Sequence, residues 1–329
     1  MSTVTQTTTY VDAIPTGGTV KRTFLMKDFY DRKLLETMKT VNVFDQFGQK
    51  RNIPKNSGKT VEFRRFNLFS PAAVAELTEG VTPDSQDLSQ TNVTATVKQY
   101  GVFVETSDLL DMTSYDDVKD AATELIGEQM GIKRDWIIRD AMVATTNKQI
   151  VGQSSAASLT SSNKLTVAEI RKAVRTLKKN KARYFNANGH KHFICICDPD
   201  TIYDLQNDSL WQDVSKYSNA EQIYNGEMGR MFGVVFVEST ECTVDDHTAT
   251  NPVNSSYDVH HTLIFGADAY GIVDIEGSGA VEMIFKPLGS SGTADPLNQR
   301  ATIAGKINAL TAKVLQPLWI IDIEHVVSA

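Results

Sequence analysis

Cysteine is scarce: Cys195, Cys197 and Cys242 are the only ones in 329 residues, an odd number with no framework of spaced pairs. That excludes a disulfide-stapled secreted scaffold and points to a reducing cytoplasm. Long apolar runs are missing too. No stretch reaches the ~18 apolar residues of a spanning helix, and the longest candidate, near the C-terminus, is interrupted by Pro317, Asp322 and Glu324. The first ten residues have neither the basic start nor the apolar stretch of a secretion signal, so no membrane partner is expected. Basic charge is in deficit, with 33 Lys and Arg against 40 Asp and Glu and a net charge of -7. A protein that grips nucleic acid through a broadly basic surface is thereby excluded, and any basic patch must be local.

Patterns that carry chemistry are missing as well. There is no Gly-x-Ser-x-Gly elbow and no cysteine with a catalytic local signature. Gly226, Gly229 and Gly233 lead into the strand Val234–Val237, the reverse of the strand-to-helix order that a phosphate loop needs, so they read as turn residues. Cys195, Cys197, His190 and His192 are metal-ligating types, yet one Cys-x-Cys in a strand lacks a second ligand pair and reads as two small buried hydrophobes. His260 and His261 open a strand without a helical partner and read as surface or rim residues. No catalytic residue, cofactor or metal is expected. The segment from His192 to Gln206, a buried strand followed by a short helix, leaves a nucleotide-binding α/β enzyme as a remote alternative, because the glycine turn for a pyrophosphate is missing.

What is present is an unusual order of parts. Residues 1–58 read as an arm: a Thr-rich start, a short amphipathic helix over 26–41 (Phe29, Leu34, Leu35, Met38, Val41), then a polar, basic linker from Gln46 to Ser57. Residues 59–106 read as an extended loop with strands at Lys59–Asn67 and Thr91–Thr106. The apolar parity of the second strand changes between Val97 and Tyr100, which predicts a β-bulge near Gln99. The connection carries Glu76, Glu79, Asp84 and Asp87 and no Lys or Arg. A connection of that length usually serves a purpose, and this one reads as an acidic tip.

A long helix over 114–146 follows, its apolar stripe set by Val118, Ala122, Leu125, Gln129, Ile132 and Trp136, with Ile126, Met130, Ile137 and Ala141 in the adjacent rank. Further helices are predicted at Val167–Leu177, Pro199–Gln206 and Ala220–Met228, and strands at His192–Cys197, Val234–Val237, Thr262–Phe265, Gly271–Ile275, Val281–Lys286 and Leu315–Ile323. The class is α+β. One basic cluster stands out, Arg171, Lys172, Arg175, Lys178 and Lys179, continuing to Lys181 and Arg183. Lys172, Arg175 and Lys179 lie opposite the apolar stripe of Ile170, Val174 and Leu177, which is either a solvated face or a contact with phosphates.

The order of arm, two-stranded loop and long helix resembles tailed-bacteriophage major capsid proteins, a fold also used by encapsulin shells and the herpesvirus capsid floor. Three segments are similar to the coat proteins of short-tailed phages: Leu77-Thr78-Glu79-Gly80-Val81-Thr82-Pro83, Gly226 to Gly233, and Asp295-Pro296-Leu297-Asn298-Gln299-Arg300 with Gly305-Lys306. The resemblance implies a peripheral domain (107–190 and 286–329, with the spine helix) and an axial domain (191–285). It implies pentamers and hexamers tiling an icosahedral head around double-stranded DNA, assembled in a bacterial cytoplasm. It also implies a portal protein, a separate scaffolding protein since no long helical segment precedes the arm, and room for a decoration protein. The acidic tip is expected to meet Lys133, Arg134 and Arg139, or Lys50, Arg51 and Lys55, of a neighbour. Its lack of lysine makes covalent cross-linking of loops improbable. An encapsulin-like compartment is the alternative within the same fold.

Overall fold

Alternating apolar and polar residues write most of this chain as strands. The computed structural model describes residues 42–67, 69–71, 74, 76–77, 79–80, 82, 85–113, 118–187, 190–211, 230–250, 252–275, 281–290, 292 and 295–328. The helices expected over 26–41 and 220–228 lie outside them. The strands are β1 (Gln49–Ile53), β2 (Thr60–Phe66), β3 (Gln90–Thr96), β4 (Lys98–Ser107), β5 (Lys148–Ile150), β6 (Phe185–Ala187), β7 (His190–Cys197), β8 (Arg230–Met231), β9 (Val234–Glu238), β10 (Val244–Asp245), β11 (Val259–Phe265), β12 (Tyr270–Ile275), β13 (Glu282–Lys286), β14 (Arg300–Val314) and β15 (Ile320–His325). The helices are α1 (Asp108–Thr113), α2 (Val118–Val143), α3 (Val167–Lys179) and α4 (Pro199–Gln206). The mixture is the α+β class that the periodicities predict. Among the described residues, no helix is long and apolar enough to cross a membrane.

The chain divides into two compact units, one holding residues 99–133 and 278–308, the other 43–98, 134–277 and 309–329. In the first unit β14 is the centre: β13 pairs with it antiparallel, Glu282 opposite Lys306 through Lys286 opposite Thr302, and β4 also pairs with it. The entry to β14 is built by the Asp295–Arg300 segment. The buried Asp295 carboxylate accepts the Arg300 backbone N–H at 2.8 Å, and Asn298 turns the chain at φ 54°. Gly305 then lets α2 lie close, because a Cβ there would sit 2.6 Å from Ile126 Cγ2 and 3.2 Å from Met130 Cγ. Each glycine and turn residue of that segment therefore has a packing role.

The buried stripe of α2 runs through Ala122, Ile126, Met130, Arg134, Ile138 and Met142, four residues apart. This corrects the expected face. Leu125 is 65% and Trp136 38% exposed; Ala122 of the expected stripe and Ile126 and Met130 of the adjacent rank are buried, while Ile137 and Ala141 are half-buried. The cause is Arg134 and Asp135, two charged residues on the buried stripe that a hydropathy reading assigns to solvent.

In the second unit an eight-stranded mixed sheet runs β5-β15-β11-β7-β9-β8, with β10 on β11 and β6 on β7. β15, expected with the segments from 286 onward, pairs antiparallel with β11, His260 opposite His325. Both faces of β11 and β15 are buried, including the polar His260, His261, Thr262, Asp322, Glu324 and His325. α3 and α4 contribute Val167, Ile170, Val174, Leu177, Ile202 and Leu205 to the core that holds Phe193, Cys195, Cys197 and Phe236. Both thiols are fully buried, the place that the small-hydrophobe reading gives them. A second cluster, Ile53, Ala95 and Val273 with Val61 and Phe63, fixes the base of the β2–β3 hairpin. Phe63 fills the space over Gly271, where a Cβ would meet its ring at 2.8 Å. The segment expected as a basic linker is partly strand, since β1 runs parallel to β12, Gln49 opposite Gly271.

Candidate assembly surfaces

The expected two-stranded loop is present. β2 and β3 pair antiparallel from Thr60–Thr96 to Phe66–Gln90, and Asn67 prolongs the ladder by donating its N–H to Ser89 O at 2.9 Å. β3 ends at Thr96 and β4 begins at Lys98; inward positions pass from Val93, Ala95 and Val97 to Tyr100 and Val102, so the parity change falls where expected, at Lys98–Gln99. Beyond the ladder Glu76, Glu79 and Asp87 are all exposed, while Asp84 lies outside the described residues. They alternate with exposed apolar residues: Phe69, Val74, Leu77 and Leu88 are 54%, 78%, 72% and 68% exposed. Among the described residues the tip is an acidic strip with exposed apolar teeth.

The expected basic partners divide into two kinds. Arg51, Lys55 and Lys133 are exposed. Arg134 is not: its guanidinium lies 3.0 Å from Asp45 Oδ1 and 3.8 Å from Asp274, and it is 6% exposed. Lys50 donates to the other oxygen of Asp45 at 2.6 Å. Burial pushes the Asp45 carboxyl up, and Arg134 and Lys50 outweigh it, holding it below the ordinary value. Arg139 gives Nη1 to Glu241 O at 2.7 Å and Nη2 to Asp140 at 2.8 Å. Arg134 and Arg139 are thus engaged and largely buried within their own subunit, whereas Lys50 holds its partner from an exposed position.

Asp135 explains why. Its carboxylate accepts the N–H groups of Val43 and Phe44 at 2.9 and 3.0 Å, while Tyr270 donates its hydroxyl to Phe44 O at 2.5 Å. Burial pushes Asp135 up to about 6, against the pull of those backbone donors. The pair Arg134-Asp135 is a latch that ties the chain at 43–50 to α2. Charged residues one helical turn from apolar ones were its only sequence signal.

On α3 the inward side is apolar and Arg171, Lys172, Arg175, Lys178 and Lys179 are all exposed. Lys172 reaches Glu169 at 3.3 Å and Arg171 stacks over Phe232 at 5.1 Å. The face is basic and solvated.

A buried polar network in the large sheet escaped the sequence reading. His260 and His261 are 7% and 3% exposed, which corrects their assignment to a rim. His260 Nδ1 lies 2.7 Å from Asp198 Oδ2, and His325 Nε2 lies 2.9 Å from Thr262 Oγ1. Burial, with the neighbouring His260 charge, drives His325 down to about 4 although Asp198 opposes it. His261 faces Asp322 at 2.9 Å and Asp245 at 3.1 Å; burial lowers it, and the two carboxylates more than compensate, leaving it raised. His261, Asp322 and Glu324 bring three ligand-type atoms together, as do Asp246, His247 and Asp258 at the surface. At the buried cluster Lys148 Nζ supplies the positive charge, 2.5 Å from Glu324 and 3.7 Å from Asp322. His190 is exposed and His192 buried, apart from the core side on which the thiols lie.

The parts so assembled are those of a known group. A family model described as phage capsid protein matches residues 51–275. Among solved structures, the capsid of Ralstonia phage GP4 is 13% identical over 88% of this chain and 92% of that one, with a TM-score of 0.66. The capsid of cyanophage P-SCSP1u is 17% identical over 88% and 89%, with a TM-score of 0.62. The cyanophage Pam1 capsid asymmetric unit is 16% identical over 84% and 87%, with a TM-score of 0.64. No curated protein matches the chain. At such identities the structures share a fold, and the family match covers about two thirds of the sequence. The chain belongs to the phage capsid protein family and is a major capsid protein with the fold of phage heads.

Proposed function

We propose that copies of this subunit close into pentamers and hexamers that tile an icosahedral head around double-stranded DNA, and that the chain performs no catalysis. Head-to-tail contact brings different surfaces together and closes into rings. The observation that carries the reading is the β2–β3 hairpin with its exposed acidic and apolar tip, on a chain of capsid family. Residues 1–58 act as arm, 59–106 as extended loop, 107–190 with 286–329 as peripheral domain and 191–285 as axial domain. Glu76, Glu79, Asp84 and Asp87 contact a neighbour, and Arg51 and Lys55 remain candidate receivers. The basic face of α3 meets packaged DNA through phosphates alone, a weak and salt-sensitive contact. Scaffolding and portal proteins are partners in assembly within the host cytoplasm, and the finished shell's outside has room for a decoration protein.

The test is an electron micrograph of the chain expressed with its genomic neighbours, followed by nuclease treatment of the particles. Closed shells protecting long DNA are expected. Shells that enclose a cargo protein in place of DNA would make the chain a compartment, and a small oligomer without shells would overturn the reading.

A further inference from the structure

In the large sheet one histidine joins an inner strand to a short outer one. His261 on β11 turns both ring nitrogens to carboxylates: Nδ1 lies 3.1 and 2.9 Å from the two oxygens of Asp322 on β15, and Nε2 lies 3.1 Å from Asp245 Oδ2 on β10. A neutral imidazole has one N–H, so it donates to one carboxylate and turns a lone pair to the other; only the imidazolium donates to both. The two carboxylates differ in freedom. The Asp322 side chain is 0% exposed and the Asp245 side chain 35%. When the proton leaves, Asp322 therefore keeps the remaining N–H, and Asp245 is the group that can turn to water.

The strand that carries Asp245 is lightly held. β10 has two residues, Val244 opposite His260 and Asp245 opposite Val259, and one further bond runs from the His261 N–H to Thr243 O at 3.1 Å. On one side Glu241 is fixed to α2, its carboxylate accepting the Trp136 indole N–H at 2.6 Å and its carbonyl accepting Arg139 at 2.7 Å. On the other side the buried Asn254 donates to Ala156 O and Leu159 O at 3.1 and 2.9 Å. The segment between has anchored ends and a proton-dependent tie.

We propose that residues 242–246 form a proton-gated strap, closed on the edge of β11 while His261 is an imidazolium and loosened when it is neutral, which bares the backbone of residues 259–261. The surrounding charges agree with that direction. Glu324, beside Asp322 on β15, is served by Lys148 of β5, whose Nζ lies 2.5 Å from it and 3.7 Å from Asp322, so the cation of this cluster is already in place. From α2, Arg139 is taken by Glu241 O and Asp140. The next residue of β11, His260, and its cross-strand partner His325 face the other side of the sheet with Asp198. Burial lowers the His261 pKa, and Asp322 and Asp245 more than offset it, leaving it above the ordinary value. Closure is therefore fully present below the ordinary histidine range and is lost as pH rises through the raised value.

The test is hydrogen–deuterium exchange of the full-length protein at about pH 6 and about pH 9, read at the His261 amide and corrected against an unstructured peptide of the same sequence. Protection of that amide is expected to fall about tenfold between the two, while the amides of residues 263–265 in the same strand hold theirs. Asp245→Asn, at a half-exposed position, should fold normally and abolish the difference, because an amide side chain can meet Nε2 in either protonation state. Asp258→Asn, which removes the exposed tie from Asp258 Oδ1 to the His247 N–H at 2.7 Å, should keep it. Equal protection at both pH values overturns the proposal, and so does a difference that survives Asp245→Asn or vanishes with Asp258→Asn. A loss shared by the whole of β11 would be unfolding of the sheet and would overturn it as well.

Discussion

Arg134 sits between Asp45 and Asp274 with almost no access to water, so its removal strands charge. Breaking a buried pair costs about 3 kcal/mol, and Arg134→Met is expected to lose that much in urea unfolding, with Asp45→Asn restoring part of it; a loss within error of zero would sink the latch. The histidine network gives a second expectation. Between pH 6.5 and about 4 the unfolded chain takes up a proton at residue 325 that the native state refuses, so stability falls as pH falls through that window. His325→Gln should flatten this acid limb, measured as urea midpoints against pH, and an unchanged limb would show that the proton goes elsewhere. Neither site was legible in the sequence: a buried charge looks like a surface charge until its partner, about 90 residues away for Arg134 and Asp45, is brought alongside.

At the scale of elements, the strongly periodic pieces were legible. Pro199–Gln206 forms the predicted helix, and Val167, Ile170, Val174 and Leu177 are its longer neighbour's buried side. β14 was not, although it is the longest described strand, because Ala301, Ala304, Gly305, Ala309 and Ala312 supply little of the branched or aromatic signal that marks a strand. Its alternation is plain once the burial is known. The tip of the hairpin is a different matter, since it was legible through composition alone: acidic, free of Lys and Arg, and bounded by two strands. Replacing residues 69–88 with an Asn-Gly turn keeps the β2–β3 register, so circular dichroism and melting should stay as they are while heads fail to form. Normal heads from such a chain would make the tip dispensable.

For the whole molecule, the proposed packaging of DNA by an acidic chain requires any attraction to be local and weak. The outer side of α3 is where the described structure concentrates positive charge. Arg175→Ala with Lys178→Ala and Lys179→Ala should leave assembly untouched and lower the salt concentration at which filled heads release DNA. Release at the same salt would reduce that face to a solubilising one.

Two strands have residues in both compact units, and each changes the side it buries where the units change. In β14 burial passes from Ile303, Gly305 and Ile307 to Leu310 and Ala312 across Ala309, and the β3–β4 run shifts at Lys98–Gln99. One codon gained or lost inside Arg300–Asn308 would turn Ile303 and Ile307 to the wrong side. A heritable change in length is therefore expected to be tolerated at those two slip points and in the connections, where a frame of inward and outward residues is not there to be broken.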